Sequence, residues 1–154
     1  DTTENKIYCK APAGSAMNDV RVTAPALETL INIDGSNQNR VCNLNFENIV
    51  FEGSTWTRPS EEGLVGGQAS QYMLTSSLAN KVTAYHTPSA FYAQYADSLN
   101  ITGCTFRKIG STAIDLYLGV TNSNIFGNEV YDTAGNGISV AKFFQDEDTE
   151  YHDG

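Results

Sequence analysis

The sequence predicts an all-β fold, a parallel β-helix built from coils of about 24 residues. The first observation is internal repetition, because residues 112–136 resemble residues 89–111 at an offset of 24, with Ile101 falling on Ile125. The second is a partial earlier copy, residues 44–51, at an offset of 55. The third is the alternation of apolar and polar residues over short runs, which is typical of strands. Repeats of this length indicate a solenoid, in which each unit buries its apolar face against its neighbours.

We expect one domain of 154 residues, divided into four segments. Residues 1–27 hold two short alternating runs and are expected to form strands that lead into the first coil. Residues 28–56 form coil one, and residues 57–84 break the period as an insertion loop, which in repeat proteins often lies on the binding face. Residues 85–154 supply further coils and an acidic tail. Because no closing polar coil is legible, we expect a fragment that self-associates through its uncapped coil.

Alternation within each coil predicts which side chains face the interior. The interior set is expected to be Ile101, Phe106, Ile114, Leu116, Ile125, Val130 and Ile138. The same alternation places Asn32, Phe91, Asp115 and Ser139 in one outward row, and it makes Tyr92 face inward. Strands stack about 4.8 Å apart, so this row predicts a shallow surface cleft in which an extended polymer can lie.

The composition argues against some classes of partner and cofactor. The net charge is −9, and no Lys/Arg cluster occurs, which argues against nucleic acid or an anionic membrane as a partner. No apolar run approaches the length of a transmembrane span. The three cysteines do not have the spacing of a metal site. We expect no cofactor, since the acidic run at 146–153 offers oxygen ligands for calcium but lacks the EF-hand spacing.

Asp115 is the candidate catalytic residue. It lies within an apolar strand, a position from which Asp is depleted because its side chain competes for backbone hydrogen bonds. The alternative is a solvated, outward-facing Asp without a chemical role. Glycosidases need a second carboxylate about 5–9 Å away, and the acidic residues at 146–153 are the nearest candidates on neighbouring coils. Asp132, at a corner, is a weaker one.

The candidate substrate-binding residues combine aromatic rings, which stack on sugar faces, with amides and carboxylates, which bind hydroxyl groups. They are Trp56, Glu61, Glu62, Gln68 and Tyr117. For Trp56 the alternative is packing beneath its own loop. His86, which precedes Thr87 and Pro88, is interpreted as a turn residue.

Three motifs carry a resemblance to a known family. They are F-x-G-x-x-W-x-x-P-S-x-E-G at 51–63, C-T-F-x-x-I-G at 104–110 and G-N-x-V-x-D-x-x-G-N-G-I at 127–138. With these, residues 5–142 resemble the bacterial right-handed parallel β-helix proteins of the pectate-lyase-like superfamily. Within it, they are most similar to the β-helix glycoside hydrolases with α-fucosidase and xylanase activities.

This resemblance implies a secreted, periplasmic or cell-surface enzyme that cleaves plant or host glycans with paired carboxylates. It maps Asp115 onto a catalytic acid and implies a partner carboxylate on a later coil, beyond Gly154, so the fragment alone need not be active. The first alternative is a non-catalytic polysaccharide-binding or adhesin β-helix. The second is a polysaccharide lyase, against which the absence of a well-placed Arg or Lys on the outer row counts.

Overall fold

The computed structural model describes residues 3–4, 6, 8–62, 71–73 and 84–140 of the chain. A 3₁₀ helix, Met17–Asp19, and one helix, α1 (Arg58–Glu62), accompany the strands of this part. The strands are β1 (Ile31–Asp34), β2 (Val41–Cys42), β3 (Asn45–Glu47), β4 (Val50–Glu52), β5 (Gln71–Met73), β6 (Ala84–His86), β7 (Ser89–Gln94), β8 (Ala96–Asp97), β9 (Asn100–Thr102), β10 (Thr105–Arg107), β11 (Thr112–Leu118), β12 (Asn124–Phe126), β13 (Glu129–Val130) and β14 (Ile138–Val140).

Parallel pairing between distant strands dominates the sheets. The sheets run β1-β7-β11-β14, β3-β9-β12, β4-β10-β13 and β2-β8, all with parallel neighbours. The hairpin β5-β6 is antiparallel. Each pass of the chain thus adds one strand to several sheets, and the all-β class with parallel sheets is confirmed.

The leading segment differs from the prediction. Residues 8–27 contain no strand, only the helix Met17–Asp19. Four large hydrophobic side chains there are exposed, Tyr8, Met17, Val22 and Leu27, so the alternation of this segment does not reflect a buried sheet face. Among the described residues, no helix has the length and apolar character needed to cross a membrane.

The predicted offsets of 24 and 55 match the pairing of the short sheets. Ile101 pairs with Ile125 at an offset of 24 and with Phe46 at an offset of 55. The side-chain amide of Asn128 joins two passes of the chain at the corner between these sheets. The Asn128 Oδ1 accepts from the backbone N–H of Cys104 at 2.8 Å, and its Nδ2 donates to the carbonyl of Ile101 at 2.8 Å. The Asn128 side chain therefore hydrogen-bonds to the backbone of the neighbouring pass at the corner, between the paired strands.

The long sheet contradicts the predicted offset. Leu116 pairs with Ala93 at an offset of 23, whereas Leu118 pairs with Gln94 at an offset of 24. Tyr117 is thus one extra residue, a bulge in β11. A slip of one residue exchanges the two faces of a strand. The prediction that Phe91 faces outward and Tyr92 inward is therefore wrong.

The interior is an aromatic and aliphatic cluster. Phe91 is fully buried there, in edge-on contact with Phe46 and Phe51. Three residues of the predicted interior set are buried in this cluster: Ile101, Phe106 and Ile114. Three others are partly buried and pack against it: Leu116, Ile125 and Val130. Ile138 pairs with Ile114, but it is 47% exposed, so its predicted burial is wrong. Burial in a stack needs a neighbour on each side, and Ile138 lies on β14, the last strand of its sheet in the described part.

Candidate functional site

Asp115 lies on the face of the long sheet that points away from the interior. Its neighbours Ile114 and Leu116 join the core, and its register partners are Tyr92 on β7 and Ser139 on β14. Tyr92 in turn pairs with Asn32. The outward row is therefore Asn32, Tyr92, Asp115 and Ser139, which corrects the predicted row at one position.

Asp115 is nevertheless 0% exposed, so the expectation of a carboxylate open in a surface cleft is wrong. Neither of its carboxylate oxygens has a hydrogen-bond partner within the part of the chain that is described. Burial disfavours the charged form and raises the pKa of Asp115 from 3.8 to about 7. A buried carboxyl group without hydrogen bonds is costly, and such groups are found mostly where function requires them.

His86 is in ion-pair contact with Asp115. It ends β6, the second strand of the hairpin, and its Nδ1 lies 3.3 Å from Oδ2 of Asp115. The same Nδ1 lies 2.9 Å from the carbonyl oxygen of Thr87. A carbonyl oxygen can only accept, so Nδ1 carries the proton in the neutral ring. The interpretation of His86 as a turn residue is wrong, because His86 is the last residue of strand β6, and its imidazole lies beside the Asp115 carboxyl.

Two tyrosines complete the group around the carboxyl. The Tyr117 ring meets the His86 ring edge-on at 4.9 Å and lies 5.7 Å from the Tyr92 ring. The extra residue of the bulge, Tyr117, is thus an aromatic residue beside Asp115. Both rings are half-buried, so part of each remains open to a ligand.

A polar chain continues from Tyr92 along the same face. Its hydroxyl donates to Oε1 of Gln94 at 3.1 Å, and the Gln94 Nε2 donates to Oδ1 of Asp34. Because the amide is bonded at both ends, its orientation is fixed. Asp34 is the other carboxylate at the outward positions of the four described strands β1, β7, β11 and β14.

The predicted substrate-binding residues are only partly brought together. Tyr117 lies beside Asp115, as described above. Trp56 is half-buried between β4 and α1, and no described ring contact or hydrogen bond joins it to Asp115 or Tyr117. Glu61 and Glu62 end α1, with side chains outside the description, and Gln68 lies outside the described residues.

Other places in the molecule contribute no chemistry to this group. No cluster of three or more His, Cys, Asp or Glu side chains suited to a metal occurs in the described ranges, and the acidic run at 146–153 lies outside them. A cavity of about 510 Å³ is lined by residues 23–27, Leu30, Glu52, Gly53 and Lys108. It is mostly apolar and contains none of the residues around Asp115, so we do not assign the site to it.

The sequence contains a second alignment, which predicts the faces of Phe91 and Tyr92 correctly where the offset of 24 does not. Ser89-Ala90-Phe91 matches Thr112-Ala113-Ile114 in polarity and size at an offset of 23. That alignment puts Tyr92 next to Asp115. His86 has no such signal, because it reaches the site through a hairpin outside the repeat.

The chain was compared with known proteins at three levels. No protein-family model matches it, no curated protein matches it, and no solved structure matches it. Its function therefore has to be inferred from the geometry around Asp115.

Proposed function

We propose that this chain is part of a right-handed parallel β-helix that hydrolyses glycosidic bonds in a polysaccharide, with proton transfer centred on Asp115. The parallel pairing of successive passes supports the β-helix, and parallel crossover connections are right-handed in about 98% of cases. The observation that carries the activity is a fully buried carboxyl group without hydrogen bonds, on the outward sheet face beside two tyrosines.

The electrostatics of Asp115 suit an acid. Its pKa of about 7 keeps a large fraction of the carboxyl protonated at neutral pH. Glycosidases need a group of raised pKa to protonate the leaving oxygen, and Asp115, which is itself buried, can take part in this proton transfer through the adjacent His86. Tyr92 and Tyr117 add aromatic surface of the kind that stacks on sugar rings. Such an enzyme acts where polymers are accessible, so we also propose a secreted, periplasmic or cell-surface location.

Asp34 is the second carboxylate of this proposal. It is two strands and two residues from Asp115, which separates their Cα atoms by about 12 Å. Inverting glycosidases hold their carboxyl groups about 6.5–9.5 Å apart, and retaining ones about 5 Å. A Cα separation of about 12 Å is too wide for the retaining geometry, so we assign Asp34 as the base that activates water in an inverting reaction.

Polysaccharide lyase is the second candidate, and His86 favours it. An imidazole whose Nδ1 proton is held by a carbonyl can act as a base at neutral pH, as β-elimination from a uronide requires. Two other hypotheses stay predictions. One is that the chain is a non-catalytic binding module, and the other is that it self-associates through its last coil.

The experiment measures product release from fucosylated xyloglucan, arabinoxylan and polygalacturonate by the full chain and by Asp115→Asn. We expect new reducing ends, and a loss of about 10²–10⁴-fold in kcat for the variant with folding intact. Asp132→Asn, on an exposed corner, is the matched control and should keep its activity. Ultraviolet absorbance of an unsaturated product would instead identify a lyase. Binding without cleavage would identify the non-catalytic module.

A further inference from the structure

We propose that His86, rather than Asp115, exchanges the proton with the glycan, and that Asp115 is a positioning residue that holds the imidazole. This inference rests on the proposed function and assigns its acid. A side chain that is 0% exposed does not touch a ligand, whereas the His86 side chain is 24% exposed. The pair therefore has one member that a ligand can reach and one that it cannot.

The contacts of the imidazole define which nitrogen acts. Nδ1 donates to the carbonyl of Thr87 at 2.9 Å and lies 3.3 Å from Oδ2 of Asp115, an ion-pair distance. Nε2 lies across the ring from Nδ1 and is the atom that gives or takes the exchanged proton. A carboxylate behind a histidine keeps the ring in one tautomer and stabilises the imidazolium. Because burial leaves Asp115 with no described hydrogen bond, the imidazolium is the partner that compensates its charge.

The step balances as an inverting hydrolysis. The water oxygen bonds to the anomeric carbon while the bond from that carbon to the leaving oxygen breaks. The leaving oxygen takes the Nε2 proton of the His86 imidazolium, and the carboxylate of Asp34 takes a proton from the water. The pair is left as a neutral imidazole with its proton on Nδ1 beside the Asp115 carboxylate. Solvent then takes the proton from Asp34 and returns one to Nε2, which restores both groups.

The first test needs no substrate and uses ¹⁵N NMR of the ring nitrogens. The chain has two histidines, so His152→Gln assigns the signals of His86. We expect the neutral His86 ring to carry its proton on Nδ1, and its titration midpoint to move to lower pH in Asp115→Asn. A proton on Nε2, or a midpoint unchanged by Asp115→Asn, overturns the pairing.

The second test is a double-mutant cycle on whichever of the three polysaccharides the full chain cleaves. His86→Gln and Asp115→Asn are each expected to lower kcat by about 10²–10⁴-fold. The double variant is expected to lose no more than the worse single one, because the two residues act as a unit. Near-normal kcat in His86→Gln, or multiplicative losses, would overturn the inference. If the full chain cleaves none of the three, the proposed function fails, and the NMR result still decides the pairing.

Discussion

The rings of Phe51 and Phe106 stack with their centroids 4.7 Å apart and 20° between their planes. They occupy the same register position on β4 and β10, 55 residues apart. The contact therefore joins two passes of the chain through the interior. Stacked aromatic rings in a core contribute about 0.5–1.5 kcal/mol beyond the area they bury.

Phe106→Ala is expected to lower the free energy of unfolding by about 3–5 kcal/mol, because it removes a fully buried ring and leaves a cavity. Urea denaturation followed by circular dichroism measures the loss. Phe126→Ala is the matched control on β12, since that ring is 68% exposed, and a change within about 0.5 kcal/mol is expected. Equal losses in the two variants would contradict the core described here.

Asn128→Ala is expected to lower the free energy of unfolding by about 1–3 kcal/mol, because it leaves the N–H of Cys104 and the carbonyl of Ile101 without their partner. Thermal unfolding is a sufficient measurement. The control is Asn124→Ala at an exposed position of β12, which should unfold like the parent chain. A parent-like melting temperature for Asn128→Ala would show that the corner bonds contribute nothing net.

Gly110→Ala is expected to destabilise the fold by about 1–3 kcal/mol. A Cβ at Gly110 would lie 2.7 Å from the Cα of Thr55 and 2.8 Å from the backbone N of Trp56, so one pass would have to move away from the other. At Gly137 the nearest atom to a new Cβ is a Val130 methyl group at 3.5 Å, an ordinary contact. Gly137→Ala should therefore be neutral or slightly stabilising in the same denaturation assay.

The burial of Asp115 predicts a pH-dependent stability. In a His86→Gln background, which removes the adjacent titrating ring, the folded chain holds the Asp115 proton up to the pKa of about 7. The unfolded chain releases it near pH 4. The folded state then binds more protons over this range, so stability falls as pH rises from about 4 to 7.

Asp115→Asn in that background removes the titration. Its stability relative to the His86→Gln parent is expected to rise by about 4 kcal/mol between pH 4 and pH 7.5 and to stay constant above. Urea midpoints measured at half-unit pH intervals give the curve. A difference that does not vary with pH would mean that Asp115 titrates near its ordinary value in the folded state.

Much of the fold could be predicted from the sequence because alternation and internal repetition are direct consequences of stacked strands. The offsets that pair Phe46, Ile101 and Ile125 are legible in the residues themselves. The face of β7 was predicted wrongly. The bulge residue in β11 makes the offset 23 for the strand residues that precede it, and a slip of one residue exchanges the two faces of a strand. The position of Asp115 on the outward row follows from alternation, but its burial depends on packing that no local pattern encodes.

His86 illustrates the other limit. Its approach to Asp115 depends on the hairpin of β5 and β6, a long-range arrangement without a repeat partner. Residue type and neighbours alone indicate a turn. Only the distance between Nδ1 and Oδ2 shows that His86, the last residue of β6, lies beside the carboxyl.

The bulge at Tyr117 has a consequence for anyone who would build a longer array from this chain. The unit from Phe91 to Ile114 has 23 residues, whereas the unit from Ile114 to Ile138 has 24 and contains Tyr117. Copying the longer unit would place one extra outward aromatic on every turn of the array, and copying the shorter one would give the same interior with an uninterrupted ladder. The outward aromatic surface and the scaffold can therefore be engineered separately, through the insertion or deletion of one residue.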